Sequence, residues 1–162
     1  MRAADLDAVL RIAAVVHADL PESRAVLAER LALYPAGCLM TEGGYAIAHP
    51  ARPFHPPALD TLLGALPADA ACLHVHDVAL LPARQAVGRG AAAIARFAAL
   101  AAAEGLGRLS LIAVHGTGDY WRRHGFAPAA VHVPLGSYGA GAVYMIRALP
   151  RAGPALRPPP RA

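Results

Sequence analysis

Lysine is missing from this chain, and all 15 basic residues among its 162 residues are arginines. A Walker-type phosphate loop needs a lysine directly after its last glycine, so this class of nucleotide site is excluded. The formal net charge is +4, but three arginines fall within 151–162 and the others form no basic stripe with interleaved aromatic residues. We therefore expect no nucleic-acid partner.

Cysteine is scarce, and long uncharged stretches are missing. Cys38 and Cys72 lie in apolar segments without the spacing of a metal site or a redox motif, which predicts two buried, reduced thiols and no metal site. Asp5, Asp7 and Arg11 interrupt the N-terminal segment before a signal-peptide core can form. No apolar run is long enough to span a bilayer. The sequence therefore predicts a cytoplasmic protein with no membrane partner.

Aromatic residues make up only 6% of the chain, whereas 56% of it is apolar and 16% is charged. Alanine, leucine and valine must therefore fill most of the core. The composition, at a length that allows one sizeable core, predicts a single globular domain at 1–149. Residues 150–162 are rich in proline, arginine and alanine, and we expect this tail to be disordered.

Hydrophobic periodicity divides the domain into helices and strands. The predicted helices are 5–20, 21–34, 59–66, 88–104 and 118–124. The predicted strands are 38–41, 45–48, 72–81, 109–115, 130–135 and 142–148. The strand–helix–strand run within 72–115 is typical of a βαβ unit with parallel strands. The sequence thus predicts an α/β fold in which helices flank a mixed, twisted sheet.

A glycine-containing loop joins the strand that ends at Leu81 to the helix that begins at Gly88. Glycines at Gly88 and Gly90 leave successive backbone N–H groups unencumbered, and the helix N-terminus adds partial positive charge, which suits a phosphate or pyrophosphate. A dinucleotide fingerprint would need a third glycine at Ala93 and an acidic residue near Leu109, and the chain has neither. The alternative is that the two glycines only allow close helix–strand packing.

Three segments in this region resemble motifs of the GNAT acetyltransferase family. Residues 85–90 match the family's Arg/Gln-x-x-Gly-x-Gly/Ala acetyl-CoA motif, and residues 78–82 match the preceding strand end, hydrophobic-Ala-Val-x-Pro. Residues 121–126 are similar to its aromatic-x-x-x-Gly-Phe element. The resemblance covers 73–126 well and 5–149 weakly. It implies a GNAT-type sheet that is splayed where the thioester enters.

The resemblance further implies that acetyl-CoA is the co-substrate. Its pantetheine arm would pair with the strand backbone, its pyrophosphate would rest on the loop, and the Leu80 N–H would stabilise the oxyanion. The thioester would enter between the strands of Val78 and Leu111. Arg84 and Arg89 either add positive charge there or are solvated beside the loop. The predicted acetyl-CoA-binding residues are Val78, Ala79, Leu80, Gln85, Ala86, Val87, Gly88, Arg89, Gly90 and Ala91.

Direct attack of an amine on the thioester needs a base and an acid. Family members often carry a glutamate where this chain has His76, and a histidine is a suitable base near neutral pH. Strand alternation predicts that Asp77 points to the opposite face as a hydrogen-bond partner. Tyr120 is the substitute acid, because Trp121 occupies the place of the family's tyrosine. The predicted catalytic residues are therefore His76, Asp77 and Tyr120, unless His74 and His76 are merely polar residues of a half-buried strand.

The predicted function is transfer of an acetyl group to an amine of a small molecule or peptide, by a monomer or homodimer. The alternative is a non-catalytic acyl-CoA-binding module, since the usual acid is replaced by Trp121. Relatives also often carry asparagine where this chain has His115. The motifs do not identify the acceptor amine.

Overall fold

The computed structural model describes residues 1–150, and for Ala86 and Val87 it describes the backbone alone. The helices are α1 (Leu6–Val16), α2 (Arg24–Leu33), α3 (Arg89–Ala103) and α4 (Gly118–Arg123). The strands are β1 (Cys38–Thr41), β2 (Gly44–Ala51), β3 (Cys72–Leu80), β4 (Arg108–Ala113), β5 (Ala127–Pro128) and β6 (Val143–Ala148). Residues 151–162 lie outside the described residues, so the disordered tail stays a prediction.

The strands form one mixed sheet in the order β1–β2–β3–β4–β6–β5. β3 and β4 run parallel, and they are the only parallel neighbours among the described strands. α3 lies between them in the chain and packs against both. The predicted βαβ unit and mixed sheet are therefore confirmed.

Helices cover both faces of the sheet. On one face, Ile94 and Phe97 of α3 are buried in a cluster with residues of β3 and β4. On the other face, Leu6 and Val9 of α1 and Leu27 of α2 are buried in a cluster with residues of β2. Full burial of one such side chain contributes about 1.5–3 kcal/mol. The apolar spacing that predicts α1 and α3 is therefore the spacing of the residues that hold these helices on the sheet.

The helix predicted at 59–66 is wrong. The backbone amides of Leu63 and Gly64 donate to the Glu29 carboxylate of α2, each at 2.8 Å. Asp60 and Gly64 have φ angles of +52° and +71°, which a right-handed helix does not allow. The segment forms turns because its amides have a carboxylate partner outside it.

The strand predicted at 130–135 is also wrong. β5 precedes it, and after β5 the amide of Ala129 still donates to the Tyr144 carbonyl of β6 at 3.0 Å. The amide of His132 donates instead to the Phe54 carbonyl, in the loop after β2, at 2.9 Å. The chain leaves the sheet edge at this point to cover that loop.

Cys38 and Cys72 are buried and form no disulfide, as the sequence predicts. The Cys72 thiol donates to the Ala51 carbonyl at 3.3 Å. Within residues 1–150, no helix combines the length and the apolar character needed to cross a membrane.

Candidate active site

The parallel strands β3 and β4 separate part-way along their length. They pair from Leu73 opposite Leu109 to Val75 opposite Leu111, whereas β3 continues to Leu80 beside β2. The end of β3 therefore borders a gap where the next strand would lie. The splayed sheet that the sequence predicts is confirmed, and the gap lies between the two strands that were expected to frame it.

The backbone groups of Val78 and Leu80 point into this gap. The Leu81 N–H donates to the Gly43 carbonyl, just before β2, at 2.9 Å. Successive residues of a strand direct their N–H and C=O groups to opposite edges, so Val78 and Leu80 direct theirs away from β2. In the gap, the Leu80 carbonyl accepts a hydrogen bond from Gln85 Nε2 at 3.1 Å. The Val78 and Leu80 backbone is thus placed to pair with an extended ligand.

The predicted phosphate loop is a 3₁₀ turn at Pro82–Val87, followed directly by α3. Gly88 caps α3 with a φ of +70°, in the left-handed region that favours glycine. Gly90 is buried in the first turn of α3, where a Cβ atom would lie 2.5 Å from the Tyr120 hydroxyl. The tight contact of Gly90 is therefore with a side chain of α4, and not with the strand that the packing alternative requires.

Arg84 and Arg89 both contact Glu42, in the turn between β1 and β2. Arg84 Nη2 donates to the Glu42 carboxylate at 2.5 Å, and Arg89 Nη1 donates to the Glu42 carbonyl at 2.6 Å. Exposed ion pairs of this kind contribute at most about 1 kcal/mol. The two arginines therefore tie the loop to the β1–β2 turn, which neither sequence alternative predicts.

A cavity of about 560 Å³ connects the loop, the gap and the α1–α2 region. Gln85, Gly88, Gly90 and Ala91 line it from the loop and the start of α3, and Tyr120 and Trp121 line it from α4. Its titratable lining also includes His17, Glu22, His76, Asp77 and His115. The cavity thus brings the predicted cofactor loop and all three predicted catalytic residues together.

β3 contains a one-residue bulge at His76. Ile47 of β2 lies opposite Asp77, and the next residue, Ala48, lies opposite Val75, which leaves His76 as the extra residue. A bulge shifts the alternation of a strand by one residue. Asp77 therefore lies on the same face as His76, and the prediction that it points to the opposite face is wrong.

Asp77 holds His17 in a fixed orientation. His17, directly after α1, donates from Nε2 to Asp77 Oδ1 at 2.9 Å, and the Tyr45 hydroxyl donates to Oδ2. Burial acts to raise the pKa of Asp77, but the hydrogen bonds from His17 and Tyr45 keep it below its ordinary value of 3.8. Burial likewise acts to lower the pKa of His17, but the Asp77 carboxylate raises it above 6.5. Asp77 is therefore a carboxylate, and the His17 imidazole beside it takes a proton more readily than a free histidine does.

His76 is paired with a second carboxylate. Its Nε2 lies 2.9 Å from Glu22 Oε2, in the loop between α1 and α2, and its side chain is only 1% exposed. His76 Nδ1 and Glu22 Oε1 are buried without a hydrogen-bond partner among the described residues. Val78 packs into the cluster on the α3 side of the sheet. In a regular strand His76 and Val78, two residues apart, would share a face. The bulge places His76 on the α1–α2 face instead.

Neither a family model nor a curated protein sequence matches this chain significantly. Among solved structures, the GphF GNAT-like decarboxylase in complex with isobutyryl-CoA aligns over 93% of this chain and 97% of that chain, with 22% identity and a TM-score of 0.73. Ard1 from Thermoplasma volcanium aligns over 93% and 95%, with 15% identity and a TM-score of 0.69. The ribosomal-protein-S18-alanine N-acetyltransferase from Escherichia coli aligns over 97% and 96%, with 18% identity and a TM-score of 0.62.

The chain has the GNAT fold. Within that fold, Trp121 stands where the motif has a tyrosine, and its indole N–H donates to Thr117 Oγ1 at 3.2 Å. Its ring packs edge-on against Phe126, with centroids 5.7 Å apart. Tyr120 presents its hydroxyl to Gly90, and burial raises its pKa. Trp121 therefore serves α4 packing, and Tyr120 brings to the cavity a hydroxyl that keeps its proton near neutral pH.

His74 has a structural place in this GNAT-fold sheet. It is buried, its Nδ1 lies 3.0 Å from Ser110 Oγ, and its ring lies 5.5 Å from that of His49 between centroids. Burial holds the pKa of His74 well below 6.5, and burial with the nearby His76 lowers that of His49 to about 3. His74 is therefore a hydrogen-bonded polar residue of the sheet, as the polar-strand alternative predicts.

Nothing in the local sequence marks His17 or Glu22 as site residues. Their partners, Asp77 and His76, lie 60 and 54 residues further along the chain. The one available signal is that both polar residues flank the break between two amphipathic helices. Two helices end at such a break, and helix ends that lie on a sheet face can border a cavity.

Proposed function

We propose that this chain is an N-acetyltransferase that uses acetyl-CoA and acetylates an amine of a small molecule or peptide. The observation that carries the proposal is the gap beside β3. It joins a loop suited to phosphate, around Gly88, with two histidine–carboxylate pairs, at His76 and His17. An extended thioester ligand along this gap would have its anionic part at the loop and its reactive end near the histidines.

Backbone groups would hold most of the coenzyme. The amides of Gln85, Ala86, Val87, Gly88, Arg89, Gly90 and Ala91 would bind the pyrophosphate, where the α3 N-terminus adds positive charge. Val78 and Leu80 would pair with the pantetheine arm, while Ala79 between them faces α1 and α2. Structural neighbours support this use of the fold: GphF is in complex with isobutyryl-CoA, and Rv2747 from Mycobacterium tuberculosis is in complex with CoA.

The reaction forms a bond from the amine nitrogen to the acetyl carbon and breaks the carbon–sulfur bond. We assign His76 as the base that takes a proton from the attacking nitrogen at Nδ1, because Glu22 occupies Nε2. The Leu80 N–H would donate to the carbonyl oxygen as it becomes negative. The Tyr120 hydroxyl would protonate the leaving thiolate. Asp77 acts as a positioning residue through His17.

Coenzyme binding and thiol release test this function. Millimolar CoA should raise the melting temperature of the wild type in a dose-dependent way. Wild-type protein with acetyl-CoA and a panel of primary amines, amino acids and short peptides should release free thiol. A melting curve indifferent to CoA would overturn the proposal, and CoA binding without thiol release would support the non-catalytic binding module.

Gly88→Asp localises the binding site. A Cβ atom at this position would meet no atom within 4 Å, and aspartate is one of the few residues other than glycine that adopt a φ near +70°, so the added carboxylate should oppose the pyrophosphate at a modest cost in backbone strain. We expect Gly88→Asp to abolish the CoA-dependent melting shift. Ala95→Asp, which adds the same charge at an exposed position further along α3, is the matched control and should retain the shift.

A second activity, decarboxylation of a carboxyacyl-CoA, has one observation in its favour. Trp121 replaces the acid that would protonate a thiolate, and decarboxylation keeps the carbon–sulfur bond and releases no thiolate. One structural neighbour is a GNAT-like decarboxylase. Malonyl-CoA and methylmalonyl-CoA are the probes. Carbon dioxide release without thiol release would favour this activity over acetyl transfer.

A further inference from the structure

Three histidine–carboxylate pairs of increasing exposure belong to the same region of the structure. His76–Glu22, His17–Asp77 and His115–Asp19 each have an imidazole Nε2 to carboxylate distance of 2.9 Å. The histidine side chains are 1%, 20% and 41% exposed, in that order. All three histidines line the cavity. The three imidazoles thus range from enclosed, at His76, to exposed, at His115.

We propose that His17 is a second catalytic base, which removes the proton that a cationic acceptor amine must lose before His76 assists its attack. The inference rests on the proposed acetyl transfer. It also specifies the acceptor as an amine that reaches the site as its ammonium ion.

The acceptor nitrogen loses two protons in the reaction. A primary ammonium carries three protons on nitrogen, and the amide product keeps one. One proton must leave to give the nucleophilic lone pair, and a second leaves as the nitrogen–carbon bond forms and the carbon–sulfur bond breaks. One of these protons is balanced by protonation of the thiolate, and the other goes to solvent. No oxidant or reductant is involved.

His76 is poorly placed to accept both of the protons that the acceptor nitrogen loses. Its side chain is 1% exposed and its Nε2 is occupied by Glu22, so it has little contact with solvent through which to lose a proton between turnovers. His17 is 20% exposed, and its ring stacks on that of His115 with centroids 6.3 Å apart. The His17 ring therefore reaches solvent, whereas the His76 ring is enclosed.

The surroundings of His17 fix which nitrogen reacts. Nε2–H is donated to Asp77, so the lone pair of the neutral ring is on Nδ1, which is buried without a partner among the described residues. The Tyr45 hydroxyl holds the other Asp77 oxygen. Asp77 and Tyr45 are therefore positioning residues for the His17 base.

The surrounding charges favour a protonated His17. The titratable groups around it are Asp77 of β3, Tyr45 of β2, Asp19 and Glu22 of the α1–α2 loop, His76, and His115 after β4. Three of them are carboxylates. His17 also lies at the C-terminus of α1, where the helix dipole stabilises a cation.

The test compares two amines of similar size. Ethylamine is a cation at about pH 7, since alkyl amines have pKa values near 10, whereas the fluorines of 2,2,2-trifluoroethylamine make it neutral there. His17→Gln keeps an N–H that can donate to Asp77 but cannot take a proton. We expect it to slow thiol release from acetyl-CoA by about 10²-fold with ethylamine and only a few-fold with trifluoroethylamine. His76→Gln should slow both reactions, and His55→Asn, an exposed control outside the cavity, should slow neither.

Equal losses with the two amines, or no loss with either, would overturn the His17 assignment while leaving acetyl transfer intact. Absence of thiol release from the wild type with any amine would refute the proposed function and the His17 role with it. Ring ¹⁵N NMR gives a readout without turnover. His17 should titrate above pH 6.5 in the wild type and at lower pH in Asp77→Asn, and an unchanged titration would also overturn the assignment.

Discussion

The hydroxyl of Tyr120 lies so close to Gly90 that a methyl group on Gly90 would be 2.5 Å from it. This contact links α4 to the first turn of α3, at the loop that we propose for the coenzyme. The length of the Tyr120 side chain and the missing side chain of Gly90 are therefore matched to each other.

Gly90→Ala should displace the Tyr120 hydroxyl and slow acetyl transfer, with a cost to the free energy of unfolding below about 1 kcal/mol, because the neighbouring atom ends a flexible side chain. In a Tyr120→Ala background the same change should be neutral or stabilising by up to about 1 kcal/mol, since alanine is the better helix former. Urea denaturation of the four proteins gives the coupling between the two positions. Full additivity would show that the contact does not form in solution.

Gln85→Glu should weaken CoA binding by about tenfold or more, equivalent to about 1.4 kcal/mol. Glutamate cannot donate to the Leu80 carbonyl, as Gln85 Nε2 does at 3.1 Å, and its charge opposes the pyrophosphate. Gln85→Arg retains a donor and should bind CoA nearly as the wild type does. Isothermal titration calorimetry measures both, and equal affinity of the Glu and Arg variants would contradict the role assigned to Gln85.

Asp77→Asn should destabilise the protein most between about pH 4 and pH 6.5. The folded-state pKa of Asp77 is below 3.8, so its contribution is present above that pH and is lost as the pH falls through the lower value. The folded-state pKa of His17 is above 6.5, so its contribution is complete below 6.5 and is lost as the pH rises through the higher value. The difference in melting temperature between wild type and Asp77→Asn should therefore shrink at alkaline pH.

Asp69→Asn is the control for this profile. Asp69 is exposed and pairs with Arg52, whose charge does not change over this pH range. Its effect on the melting temperature should be small and flat from pH 5 to pH 9. A similarly flat profile for Asp77→Asn would show that the His17–Asp77 pair is not ionised in the folded protein.

His76→Gln should lower turnover by about 10²–10⁴-fold and leave CoA binding nearly intact. His76→Glu introduces the residue common in the family, but here it would meet Glu22, whose Oε2 lies 2.9 Å from His76 Nε2. Two carboxylates at that distance cannot both ionise easily. We expect His76→Glu to be no more active than His76→Gln at neutral pH, and recovery of wild-type turnover would show that Glu22 can move away.

The parts of the site that depend on local sequence were predictable. A glycine is needed at Gly88 for its positive φ angle and at Gly90 for its missing side chain. The two positions are close together in the chain, so the glycine pattern indicates the loop directly. The face of Asp77 was not predictable, because the bulge is defined by pairing with Ile47 and Ala48 of β2. The helix predicted at 59–66 is wrong for a similar reason, because backbone amides of this segment donate to the Glu29 carboxylate, which belongs to α2.

The bulge at His76 also sets a condition for protein engineering. In a regular strand, two adjacent residues point to opposite faces, so only one of His76 and Asp77 could reach the cavity. Grafting this dipeptide onto the corresponding strand of another enzyme would therefore transfer half of the arrangement, unless the insertion that creates the bulge is grafted with it. Deleting one residue of β3 next to His76 would, conversely, turn one of these two side chains out of the cavity while leaving the composition of the strand almost unchanged.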